Sequence, residues 1–172
     1  MMHRINTVPV WLPQLPPLTV PLSEEVLQLI QQPSLTRAFK SLGGEFAVNL
    51  LYLGKGKNDT GWLEQQAGDY FIRDVLLSYN GNPVVWARSL CLSEAWEWRR
   101  ILDCGTRPLG EQLFDGSLAV TRSPVEYAIA GDCSLPGFDG QALLARRSVF
   151  TLNGQTLNLA ECFLPSVAEI GK

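Results

Sequence analysis

Two arginines and a glutamate stand out because each falls among apolar residues in a segment that reads as a β-strand. Arg73 lies in the run Tyr70 to Tyr79 and Arg88 in the run Asn82 to Leu92. The Asn80-Gly81 pair between them is the strongest short-range signal for a two-residue type I′ hairpin. With that pair at the turn, Tyr79 pairs with Asn82. Counting outward then sets Arg73 opposite Arg88, on a face shared with Phe71, Val75, Leu77, Val84, Trp86 and Leu90. Two guanidinium groups opposed on an apolar face repel each other and resist desolvation. Either both reach solvent or carboxylates elsewhere, or they line a pocket for a ligand with one or two carboxylates, which arginine grips bidentately.

A second Asn-Gly pair, Asn153-Gly154, separates Arg147 to Leu152 from Gln155 to Leu164. Its register pairs Leu152 with Gln155 and sets Glu161 opposite Arg146, on a face shared with Leu157, Leu159 and Phe163. A carboxylate in that setting is either one half of a cross-strand ion pair or a proton donor and acceptor of tuned pKa. Two helix starts add backbone donors: Leu35 follows Ser34, and Leu109 follows Pro108. First-turn N–H groups suit a carboxylate, although every helix start has this property.

The elements that must position these groups can be read from punctuation. Leu22 to Gln32 reads as a helix capped by Ser23, with Glu24 and Glu25 at its positive end and Pro33 closing it. Ser34 caps a second helix, Leu35 to Leu42, which stops at Gly43-Gly44. Glu45 to Leu53 is strand-like, and Gly54 to Asp69 reads as a loop whose Gly-Lys-Gly lacks the spacing of a phosphate loop. After the first hairpin, Ser93 to Asp103 and Pro108 to Phe114 read as helices. Ser117 to Ala130 reads as a strand broken at Pro124, and a loop with Pro136, Gly137 and Gly140 follows. Strands joined by hairpins, with helices clustered between them, predict an α+β domain on an antiparallel sheet, one face covered by helices.

Composition narrows the function. The chain has 172 residues, 46% apolar and 18% charged, with a net charge of −3. That suits a single domain over 1–172 with one core and offers no basic run for nucleic acid. Residues 1–21 are broken by Pro9, Pro13, Pro16, Pro17 and Pro21, so they read as an extended segment rather than a secretory signal. No run approaches the roughly 18 to 20 apolar residues of a membrane span, and the expectation is a cytoplasmic protein. Cys91, Cys104, Cys133 and Cys162 are scattered without a CxxC pair and read as buried thiols. The only histidine is His3, so neither a metal site nor a cofactor is expected.

In order and spacing, the segments YFIRDVLL (70–77), RPLGEQLF (107–114), ARRSVF (145–150) and AECFLP (160–165) resemble the bacterial chorismate pyruvate-lyase family, from about Ser34 to Pro165. The resemblance implies a lyase that eliminates pyruvate from chorismate to give 4-hydroxybenzoate, usually for ubiquinone synthesis. It also implies a six-stranded antiparallel sheet, a monomer, and an enclosed site whose product is retained behind helical flaps. By residue, it implies a catalytic Arg73 and Glu161, and substrate contacts through Leu35, Arg73, Arg88, Leu109 and Glu161. Leu35 stands where the family usually has methionine, and the expected contact there is a backbone N–H. Arg73 with the N–H groups near Leu35 and Leu109 would hold the ring carboxylate, Arg88 the side-chain carboxylate, and Glu161 the ring hydroxyl. The same fold serves transcriptional regulators as a small-molecule sensor, but 172 residues leave no room for their DNA-binding domain. A free-standing aromatic-acid binding protein and a chorismatase giving a different hydroxybenzoate are the alternatives.

Overall fold

A computed structural model describes residues 4–5, 9–58, 68–135 and 138–172, without the side chains of 4–5, 132–135 and 138–139. His3 therefore lies outside the described residues. In chain order the strands are β1 (Arg4–Ile5), β2 (Phe46–Gly56), β3 (Tyr70–Tyr79), β4 (Asn82–Leu92), β5 (Thr121–Arg122), β6 (Glu126–Ile129), β7 (Asp132–Leu135), β8 (Phe138–Gln141), β9 (Leu144–Leu152) and β10 (Gln155–Phe163). The α-helices are α1 (Glu24–Ile30), α2 (Leu35–Ser41), α3 (Trp96–Leu102) and α4 (Leu109–Phe114). The main sheet is antiparallel, in the order β2-β3-β4-β10-β9-β5, with β6 also on β9. β5 and β6 are two pieces of one edge strand, interrupted around Pro124, which has no N–H to donate. Six ladder positions result, as the family resemblance implies.

Local chemistry explains most boundaries. Ser23 Oγ accepts from the Val26 N–H and Ser34 Oγ from the Arg37 N–H, so both expected caps form. Asn80 and Asn153 sit at φ 50 and 49, each followed by a glycine at positive φ, as type I′ turns require. Two segments differ from expectation. β2 runs on through Gly54–Gly56 by pairing with β3, so Gly-Lys-Gly belongs to a strand. The stretch expected as a loop around Pro136 and Gly137 is flanked by paired strands, β7 and β8, which form a small second sheet with β1. Its Gly and Pro content hid the pairing on either side.

The first hairpin departs from simple counting. Tyr79 pairs with Asn82 and Ser78 with Pro83, but Leu77 then pairs with Val85. Val84 is the extra residue of a β-bulge, next to a proline that cannot donate to the ladder. The released Val84 carbonyl accepts from the Leu164 N–H at 2.9 Å instead. Every residue beyond the bulge slips by one, so Arg73 faces Ser89, and Arg88 faces Asp74. A one-residue slip turns a side chain to the other face of the sheet. Arg73 and Arg88 therefore lie on opposite faces.

All four helices pack on the face that carries Arg73. Val26, Ile30, Leu35 and Phe39 of the first helical pair pack over Val75, Leu77 and Ala87. Trp98, Leu102, Leu109 and Leu113 of the second pack over Phe150, Leu157 and Leu159. The opposite face buries Ile72, Leu76, Trp86, Leu90 and Cys162 beneath Ala130, Ala142 and Trp11 of the Pro-rich segment. Of the thiols, Cys91 and Cys162 are buried and Cys104 is half-buried, none of the three in a disulfide, while the Cys133 side chain lies outside the described residues. No helix among the described residues is long and apolar enough to cross a membrane.

Candidate active site

Between the two helical pairs lies a cavity of about 50 Å³, several times the roughly 10 to 15 Å³ that one water needs. Its floor is the sheet: Val48 of β2, Arg73, Val75 and Leu77 of β3, Ala87 and Ser89 of β4, Leu159 and Glu161 of β10. Its roof is the first turn of α2 (Ser34, Leu35, Thr36) and most of α4 with Pro108. The two helix starts meet edge to edge, and Gly110 makes this possible. A Cβ there would stand 3.2 Å from Thr36 Oγ1 and 3.3 Å from Ser34 Oγ. First-turn N–H groups, which have no intrahelical acceptor, thus border the cavity at Leu35 and at Leu109.

Arg73 is 2% exposed and has no carboxylate partner among the described residues. One terminal nitrogen donates to the Gly105 and Arg107 carbonyls, both at 3.1 Å. The chain between α3 and α4 presents these carbonyls, with Gly105 in the left-handed region at φ 59. Arg73 Nε has no hydrogen-bond partner. Burial pushes the Arg73 guanidinium below its ordinary pKa, with Cys104 acting weakly the other way. A buried cation left partly unpaired is costly, and a bound anion would remove that cost.

Glu161 lines the cavity from β10 and is also half of an ion pair. Its Oε1 accepts from Arg146 Nε at 2.7 Å, on the neighbouring strand as expected. Arg146 spends its remaining donors on the Ile30, Gln32 and Pro33 carbonyls where α1 leads into α2. Glu161 is therefore paired with Arg146 and also faces the cavity. Glu161 and Arg73 lie two strands and two residues apart on one face, a backbone separation of roughly 12 Å.

Arg88 does not join them. Its Nε and a terminal nitrogen hold both oxygens of Asp74 at 2.8 and 2.9 Å, on the far face of the sheet and buried against Trp86. The expected pairing of Arg73 and Arg88 in one pocket is corrected by the bulge at Pro83. Ser89 takes the place that counting had given to Arg88. Sequence reasoning also missed Thr36, which lines the roof, and Arg122, whose charge acts on Glu161 and Arg146. Pro83 was the available signal for Ser89; nothing local marked Arg122.

A cavity between an antiparallel sheet and two helical pairs, lined by a buried arginine with no carboxylate partner among the described residues and by a glutamate, is a candidate site for a small anionic ligand. The comparisons narrow the class. The family model for chorismate lyase matches residues 11–170, and the chain belongs to that family. It is 34% identical over 164 residues to a probable chorismate pyruvate-lyase of Azoarcus sp. (strain BH72), covering 81% of this chain and 82% of that one. It is also 34% identical over 168 residues to a probable chorismate pyruvate-lyase of Shewanella loihica (strain ATCC BAA-1088 / PV-4), covering 92% and 86%. Among solved structures, the effector domain of PhnF from Mycobacterium smegmatis is similar in fold alone, with a TM-score of 0.53 and 13% identity over 77% of this chain and 89% of that one.

Proposed function

We propose that this protein is a chorismate pyruvate-lyase, a single domain over residues 1–172 that eliminates pyruvate from chorismate and leaves 4-hydroxybenzoate. The observation that carries the reading is Arg73: a buried guanidinium with an unpaired Nε, lining a cavity between sheet and helices in a chain of this family. Arg73 grips the ring carboxylate, helped by the first-turn N–H groups at Leu35 and Leu109. Glu161, steadied by Arg146, meets the ring hydroxyl at the other end. Val75, Leu77 and Leu159 of the floor and Leu35, Leu109 and Leu113 of the roof flank the ring from either side.

In the reaction the proton on the ring carbon bearing the hydroxyl leaves, and the bond to the enolpyruvyl oxygen breaks. The ring becomes aromatic, and the departing enol takes up a proton on carbon to become pyruvate. Aromatisation supplies much of the driving force. The protein contributes a dry, preorganised site in which fixed charges act strongly, with Glu161 placed to accept the departing ring proton. The expected setting is a cytoplasmic monomer supplying a ubiquinone precursor. Incubation with chorismate and identification of both products tests the reading. Pyruvate with 4-hydroxybenzoate supports it; binding of the aromatic acid without pyruvate makes the protein a carrier or sensor, and another hydroxybenzoate makes it a chorismatase.

A further inference from the structure

Arg122 is a half-buried cation of the helical face that the proposed reaction does not use. It sits on β5, the far edge of the sheet, and makes four contacts, two to the roof of the cavity and two to the neighbouring strand β9. Its Nε donates to Ser148 Oγ on β9 at 2.9 Å, and a terminal nitrogen donates to the Pro33 carbonyl at 2.7 Å. The guanidinium lies 5.4 Å from the Phe114 ring at the end of α4 and 4.9 Å from the Phe150 ring of β9. One side chain thus ties the link before α2 and the end of α4 to the sheet together.

The roof is a unit of its own. Arg37 of α2 donates to the Phe114 carbonyl at 2.6 Å, and Lys40 of α2 pairs with Glu111 of α4 at 2.5 Å. These bonds join roof to roof, so α2 and α4 form one body that packs on the sheet through Leu35, Phe39, Leu109 and Leu113. Among the described residues, three arginines tie roof to floor: Arg73 to the chain before α4, Arg146 to the α1–α2 link, and Arg122 to the Pro33 carbonyl and the Phe114 ring. Arg73 belongs to the cavity, and Arg146 holds Glu161. Arg122 does not line the cavity, and its bonds run to the roof and to the sheet.

We infer that Arg122 is a positioning residue that latches the α2–α4 roof over the cavity and sets how fast a bound ring acid escapes. A flat planar fork suits this role: it donates along two directions while stacking between two aromatic rings. Lysine at this position keeps the charge but cannot make both bonds in one plane. The ligand part of the inference rests on the proposed lyase reading; the latch itself does not.

Hydrogen exchange on the ligand-free full chain tests the latch without any ligand. In Arg122→Gln, amides of residues 31–37 and 109–115 should exchange about tenfold faster, while the paired amides of β3, β4 and β10 stay protected. Equal exchange in the two roof segments overturns the latch. Release of 4-hydroxybenzoate from preloaded protein should accelerate by a similar factor in Arg122→Gln and Arg122→Lys. Ser148→Ala, a milder change, should give a smaller acceleration in the same direction. A wild-type protein that binds no 4-hydroxybenzoate sinks the lyase reading while exchange still decides the latch. Lowered melting temperatures with unchanged exchange and release would reduce Arg122 to a purely structural residue.

Discussion

Replacing Arg73 by methionine should separate binding from folding more cleanly than any other substitution. Methionine keeps much of the buried stem and discards the charge. The folded state loses two charge-assisted bonds, to the Gly105 and Arg107 carbonyls at 3.1 Å, each contributing about 1.5 kcal/mol or more. It is also relieved of a guanidinium that is 2% exposed, has no carboxylate partner among the described residues and leaves Nε unpaired. Desolvating such an ion costs several kcal/mol, so the two effects largely cancel. Stability should change by about 1 kcal/mol or less, a shift of roughly 2 to 4 °C in melting temperature. Affinity behaves differently, because the bound anion loses its only facing guanidinium among the described residues. Loss of one partner of a buried charge pair costs about 2 to 5 kcal/mol, or roughly 30-fold to several thousand-fold in Kd. Calorimetric titration with 4-hydroxybenzoate beside a melting curve reads both quantities. A variant that binds as tightly as wild type would show that the carboxylate is held elsewhere. A variant that loses many degrees of melting temperature while its folded fraction still binds would make Arg73 a structural residue.

The mirror image is expected at Arg88→Met, which strands Asp74, 1% exposed, without its bidentate partner. Stability should fall by about 3 to 5 kcal/mol while the folded fraction keeps its affinity, and loss of affinity without loss of stability would return Arg88 to the site. Glu161→Gln should do both kinds of damage, since the residue is paired with Arg146 and faces the cavity. We expect about 1 to 3 kcal/mol of destabilisation and a turnover loss of roughly a hundredfold or more; pyruvate release unchanged in the folded fraction would confine it to the ion pair. Turnover should survive dialysis against EDTA, because the described residues hold no cluster of metal-ligating side chains. Activity lost on chelation and restored by a divalent ion would contradict this.

Much of the molecule was legible because its signals are local. Ser23 and Ser34 act within one helical turn, and each Asn-Gly pair sets the backbone of its own hairpin. The β9–β10 ladder has no bulge in it, so counting from Asn153-Gly154 placed Glu161 opposite Arg146. The same counting failed one hairpin earlier. The error came from Pro83, where a missing N–H favours a bulge and inverts the faces beyond it. The family motifs carried the chemistry, and Arg73 and Glu161 do share a cavity, whereas Arg88 lies behind the sheet.

Residue types and their near neighbours thus determined most of the elements, the two hairpin turns and the candidate charges. Only the tertiary structure decided which face of the sheet the helices cover, and with it which charges face a ligand. It also decided what completes each buried arginine. The partners of Arg146 include the Ile30 carbonyl, 116 positions away, and Arg122 reaches the Pro33 carbonyl across 89. Any carbonyl can accept a guanidinium proton, so no residue type or spacing marks these pairs in advance. They exist because desolvated donors must find acceptors wherever packing brings backbone close.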